Sequence, residues 1–151
     1  MDIGDPLPDL TLADSIGEEI KLRALDAPLV VYFYPKDDTP GCTTEAKDFT
    51  ALAKDFTAAG ASVVGISRDS VARHAKFTAK HDLAIRLLSD EDGAACEAFG
   101  TWVEKSLYGR KYMDIERATF LFDSEQTLIR TWHKVRVKGH AADVLKAAEA
   151  L

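Results

Sequence analysis

Two periodicities divide this chain. Leu29-Val30-Val31-Tyr32-Phe33-Tyr34 and Ser62-Val63-Val64-Gly65-Ile66-Ser67 are nearly unbroken apolar runs, the signature of strands covered on both faces. Between them, Ala46, Phe49, Leu52, Ala53 and Phe56 recur at helical spacing, which predicts a helix over Thr43–Ala59 ended by Gly60. Strand, helix and strand at this spacing make a βαβ unit. Upstream, Pro6–Leu10 reads as an extended lead-in. Thr11-Leu12 and Glu19–Leu22 read as a hairpin around Ser15-Ile16-Gly17. Downstream, Asp69 or Ser70 can cap a helix running to His81, and Ile85–Leu88 is a short strand. Ser89-Asp90-Glu91-Asp92-Gly93 opens a short helix carrying Cys96 and Phe99. Gly100–Met113 shows no periodicity and reads as surface loop. Thr119–Phe122 and Leu128–Trp132 form an antiparallel pair around Asp123–Gln126. Val144, Leu145, Ala148 and Leu151 give the stripe of a C-terminal helix. The expected class is α/β: a central mixed sheet flanked by helices, with an N-terminal β-hairpin.

Composition narrows the function classes. At 151 residues, with 46% apolar and 29% charged positions, residues 1–151 read as one soluble domain. Net charge is −6, and no basic stripe suits nucleic acid. No apolar run approaches the ~20 residues of a membrane span. Met1–Pro6 has neither a basic nor an apolar leader character, so the expected compartment is the cytoplasm. Only two cysteines occur, with no Cys-x-x-Cys, which fits a reducing compartment.

One cysteine stands in a setting that carries chemistry. The strand Leu29–Tyr34 ends in Pro35-Lys36-Asp37-Asp38-Thr39-Pro40-Gly41-Cys42, and a helix leaves from there. Cys42 therefore lies in the first helical turn, facing free backbone N–H groups and the positive end of the helix dipole. That field favours a thiolate, the nucleophilic form of sulfur. Cys96, within Ala94–Phe99, reads instead as a small core residue. His74 and His81 lie seven apart and can share a helix face, but no third ligand clusters with them, so a metal site is not expected. His133 and His140 read as structural or surface residues. Asp90-Glu91-Asp92 reads as a solvated turn. Trp102, Tyr108, Tyr112 and Met113 suit either a pocket wall or plain loop packing.

Pro35-x-x-x-Thr39-x-x-Cys42 after an apolar strand resembles the active-site signature of peroxiredoxins. The longer strings Tyr32–Lys36 and Thr39–Thr43 resemble the bacterioferritin comigratory protein or peroxiredoxin Q subfamily. Gly65-Ile66-Ser67, Leu87–Asp90, Phe99-Gly100 and Val137–His140 are similar to its later landmarks, so the likeness spans nearly the whole chain. The resemblance implies a thioredoxin-like fold and reduction of hydrogen peroxide and organic hydroperoxides by an antioxidant, thiol-dependent peroxidase, with no metal or other cofactor. It implies that Cys42 is the peroxidatic nucleophile, and that Thr39 Oγ bonds peroxide and thiolate. Pro35 would shield the pocket. Arg117, just before Ala118-Thr119-Phe120, would stabilise the thiolate, and Glu45 would orient that arginine. The subfamily's usual resolving positions hold Lys47 and Thr78 here. That implies a one-cysteine mechanism with an external thiol reductant, of thioredoxin, glutaredoxin or glutathione type, in a monomer or weak homodimer. The alternatives are resolution by Cys96, or a redox-sensing or chaperone-like binding protein that uses Cys42 oxidation as a signal.

Overall fold

A computed structural model describes residues 1–151. Strand β1 (Thr11–Asp14) and β2 (Glu19–Lys21) form the expected hairpin. They are followed by β3 (Leu29–Phe33), helices α1 (Pro40–Ala51) and α2 (Ala53–Ala58), β4 (Ser62–Ser67), α3 (Val71–His81), β5 (Arg86–Ser89) and α4 (Ala94–Phe99). A hairpin of β6 (Trp102–Leu107) and β7 (Arg110–Ile115), then β8 (Ala118–Phe122), β9 (Leu128–Trp132) and α5 (His140–Glu149) complete the chain. Seven strands make one mixed sheet in the order β2-β1-β5-β4-β3-β8-β9. β3, β4 and β5 run parallel, while β8 lies antiparallel to β3 on its other side. Both crossovers step the same way across the sheet, so their helices fall on one face.

Side chains alternate across β3 and separate two cores. Leu29, Val31 and Phe33 join Cys96, Phe99, Phe120 and Phe122 on one side. Val30, Tyr32 and Tyr34 join Cys42, Phe49, Phe56, Phe77 and Val144 on the other. Helices α1, α2, α3 and α5 cover the second face. Helix α4 and the N-terminal segment cover the first. The three layers are therefore unequal.

Five expectations change. The helix after Cys42 starts at Pro40, where proline's missing N–H costs nothing, and it breaks at Leu52 into two pieces. Gly100–Met113 is largely a β-ribbon, closed by Tyr108 (φ 51°) and Gly109 (φ 77°), a two-residue turn with both φ positive. Both faces of that ribbon are mostly wet, so no apolar alternation marks it in the sequence. Tyr108 is fully exposed, and Tyr112 and Met113 also face solvent, so the loop-packing reading fails for these three; Trp102 lies under the Arg68 guanidinium at 4.5 Å and lines a cleft with Gly93 and Gly100. Asp90 is no solvated turn residue: it is fully buried, and its carboxylate accepts the N–H groups of Ala95 (2.9 Å) and Cys96 (2.8 Å) at the start of α4. Leu151 lies beyond α5 and is 57% exposed, because the helix ends two residues short of it.

Candidate active site

The site forms where β3 leaves the sheet. Residues Pro35–Thr39 carry the chain from the strand end to Pro40, and Cys42 is the third residue of α1. Thr39 occupies the cap position in extended backbone, yet its side chain makes no capping bond. An N-cap threonine ordinarily accepts an N–H from the first turn. Here Thr39 Oγ1 donates instead to the Lys36 carbonyl at 2.9 Å. The first helical amides are consequently not consumed by the cap.

Register explains how Arg117 arrives. Phe33 pairs with Ala118, so the residue before β8 lies opposite the exit from β3. Arg117 Nη2 donates to Cys42 Sγ at 3.3 Å, and Nη1 donates to Glu45 Oε1 at 2.7 Å. Gly41 makes room for this approach. A Cβ there would sit 3.2 Å from Arg117 Nη2 and displace the guanidinium. Cys42 itself is only 2% exposed. Pro35 is half-buried at the start of the loop, and Thr39 is half-buried three residues before the thiol. Thr39 has no hydrogen bond to Cys42, because its one proton faces Lys36. Its remaining hydrogen-bonding capacity is that of an acceptor.

Burial dominates the electrostatics of Glu45. Its carboxyl is pushed up to about 7 by desolvation, against the pull of Arg117. Oε2 has no hydrogen-bond partner. The folded protein thus holds a proton that the unfolded chain, with the usual value near 4.5, releases as pH rises. The expected result is that wild type loses on the order of 3 kcal/mol of stability relative to Glu45→Gln between about pH 4.5 and pH 7. Urea unfolding of both proteins across that range checks it; parallel curves would show that the carboxyl ionises freely.

Three side chains not expected at this site surround the loop. His74 is buried, with Nδ1 at 2.6 Å from Asp37 Oδ2 and Nε2 at 3.0 Å from the Leu88 carbonyl. Asp69 Oδ2 accepts the Asp37 N–H at 2.8 Å. Tyr34 OH donates to Asp37 Oδ1 at 2.5 Å. One residue on, Asp38 receives His81 Nε2 and Lys80 Nζ. The seven-residue histidine spacing on α3 is therefore a double grip on consecutive aspartates. His140 pairs with Thr119 Oγ1 at 2.8 Å, and burial lowers its imidazole to about 4. Cys96 lies across the sheet, fully buried, and its thiol is pushed up to about 12, first by burial and then by Asp90.

The AhpC/TSA family matches residues 3–131. The chain is 50% identical over 143 residues to peroxiredoxin Bcp of Xanthomonas campestris, covering 94% of this chain and 89% of that protein. It is 46% identical to peroxiredoxin Bcp of Bacillus subtilis, covering 97% of this chain and 94% of that protein. The solved structure of the Xanthomonas campestris bacterioferritin comigratory protein, a protein described for its alkyl peroxide reduction activity, superposes with a TM-score of 0.91 at 48% identity, over 99% of this chain and 98% of that one. Peroxidoxin BcpB of Mycobacterium tuberculosis gives a TM-score of 0.88 at 36% identity, over 100% of this chain and 98% of that one.

Proposed function

Because the chain belongs to the AhpC/TSA family, we propose that it reduces hydrogen peroxide and alkyl hydroperoxides through Cys42 alone, with an external thiol closing the cycle. It is a peroxiredoxin, a thiol-dependent peroxidase with a thioredoxin-like fold. The observation that carries the assignment of residues is the contact of Arg117 Nη2 with Cys42 Sγ, fixed from behind by Glu45.

The Cys42 thiolate attacks one peroxide oxygen. An S–O bond forms, the O–O bond breaks, and the leaving oxygen takes a proton to depart as water or alcohol. Cys42 becomes a sulfenic acid. Arg117 holds its charge over the sulfur and the departing oxygen, where negative charge moves during the step. Thr39 Oγ accepts the O–H of the peroxide. The free amides of the first turn of α1 add donors, and Pro35 keeps water from the thiol. One external thiol then attacks the sulfenic sulfur, releasing water and leaving a mixed disulfide. A second thiol reduces that disulfide.

Resolution from outside is supported by the placement of the two thiols. Cys42 and Cys96 belong to cores on opposite faces of the sheet, and a disulfide needs Cα atoms within about 7 Å. Lys47 is exposed and Thr78 half-buried at the positions where an internal thiol would serve. The reductant we propose is a thioredoxin- or glutathione-type thiol of the cytoplasm. Residues 1–151 act as one domain, alone or as a weak homodimer. No helix is long and apolar enough to cross a membrane.

One equivalent of peroxide is expected to leave Cys42 trappable by a sulfenate reagent, with Cys96 still free by mass. Cys96→Ser is expected to turn over at close to the wild-type rate with a small-thiol reductant. A quantitative Cys42–Cys96 disulfide, lost together with turnover in Cys96→Ser, would replace this mechanism with an internal one.

A further inference from the structure

We propose that Asp69 is a positioning residue for the peroxidase reaction, acting on Thr39 through the Lys36–Asp37 peptide. The inference rests on the role given above to Thr39.

A peptide unit is planar, and its carbonyl and amide point in opposite directions. The unit joining Lys36 to Asp37 is held at both ends. Its N–H donates to Asp69 Oδ2 at 2.8 Å, and its carbonyl accepts the Thr39 hydroxyl at 2.9 Å. Turning this plane breaks both bonds together. The carboxylate at one end therefore decides where the Thr39 proton goes at the other. A charge-assisted bond at the N–H also polarises the carbonyl and strengthens its hold on the hydroxyl.

The consequence for chemistry is a matter of lone pairs. A hydroxyl has one proton and two acceptor sites. With the proton committed to Lys36, Thr39 Oγ presents only acceptors to the pocket. It then takes the O–H that every hydroperoxide carries. Were the peptide to turn, the hydroxyl would be free to donate to the Cys42 thiolate and quench the nucleophile.

Asp69 is built for the task. Ser67 Oγ donates to its Oδ2 at 2.6 Å, and Arg73 Nε lies 3.1 Å from its Oδ1. Its backbone is pinned as well, by Ser89 Oγ on the carbonyl at 2.6 Å and by its own N–H on Ser67 Oγ at 3.2 Å. Asp37 cannot swing away, since Tyr34 and His74 hold its carboxylate. Asp37, Asp69 and His74 bring ligand-type atoms within 4.8 Å of one another. Every such atom of Asp69 already faces an N–H or O–H donor, so the three close a hydrogen-bond network and do not form a cation cage.

The test is a double-mutant cycle on the rate at which reduced protein consumes one equivalent of hydrogen peroxide. Thr39→Val is expected to slow it by about 10²-fold, and Asp69→Ala by about tenfold. In the Thr39→Val background, Asp69→Ala is expected to add less than about twofold, because the group it acts through is gone. Asp69→Asn, which keeps an oxygen for the Asp37 N–H, regains most of the loss. If Asp69→Ala does not fold, Asp69→Ser takes its place in the cycle: it keeps a small polar side chain but lacks the carboxylate whose Oδ2 accepts both the Ser67 hydroxyl and the Asp37 amide. Single effects that multiply in the double variant would overturn the proposal while leaving the site intact. A wild-type rate in Thr39→Val would overturn both this proposal and the role of Thr39.

Discussion

Cys42→Ser is expected to eliminate peroxide turnover. The serine hydroxyl is essentially un-ionised at neutral pH, and oxygen is a poorer nucleophile than sulfur toward an O–O bond. Neither the Arg117 guanidinium nor the start of α1 is expected to compensate, because serine offers them no anion to face. The side chain is nearly isosteric, and Cys42 lies at the edge of its core beside polar partners, so the variant is expected to stay within about 1 kcal/mol of wild-type stability. Loss of activity with an unchanged melting transition is therefore the expected pair of results. Turnover above the uncatalysed rate in the folded variant would remove Cys42 from the reaction. Cys96 cannot substitute for it, being buried on the far face with its proton tightly held.

Arg117→Ala is expected to slow sulfenate formation by about 10²–10³-fold, the loss found when one donor is taken from a site where negative charge moves. The arginine also closes an arrangement spanning two elements: one nitrogen on the sulfur, the other on Glu45 one turn along α1. Arg117→Lys is expected to recover only a small part, because a single ammonium cannot reach both partners in the planar fork that guanidinium provides. Stopped-flow oxidation of reduced protein, with sulfenate trapping to identify the product, reads this directly. Rates within about twofold of wild type in Arg117→Ala would show that the 3.3 Å contact has no part in the chemistry.

The local part of this site was plain in the sequence, and the long-range part was not. An apolar run entering Pro35–Cys42, with a helical pattern leaving it, is enough to place a thiol at a strand-to-helix junction. Arg117 could be named only by resemblance, because the pairing of Phe33 with Ala118 that brings it there joins segments far apart in the chain. Nothing local announces that Asp37 will meet Asp69 and His74, 32 and 37 residues away. The β6–β7 ribbon escaped for the opposite reason. Its backbone bonds are satisfied by a tight turn while its side chains stay wet on both faces, so no period of two marks the residues. Asp90 looked like one acid among three. It differs from Glu91 and Asp92 only in what folds over it, the first turn of α4.

The division of the two thiols between opposite faces of the sheet gives the protein its own stopwatch. In native buffer an alkylating reagent is expected to react first at Cys42, which lies where β3 leaves the sheet and is 2% exposed. It reaches the thiol beneath α4 only when that helix lifts or the chain opens, and in the open chain that thiol regains ordinary reactivity. Once Cys42 is blocked, the slow second labelling step counts openings of the Phe99–Phe120 core one molecule at a time. Where reclosing outruns labelling, its rate relative to a free thiol gives the free energy of that opening. Cys96 thus carries a measure of how firmly the scaffold behind the active site is shut.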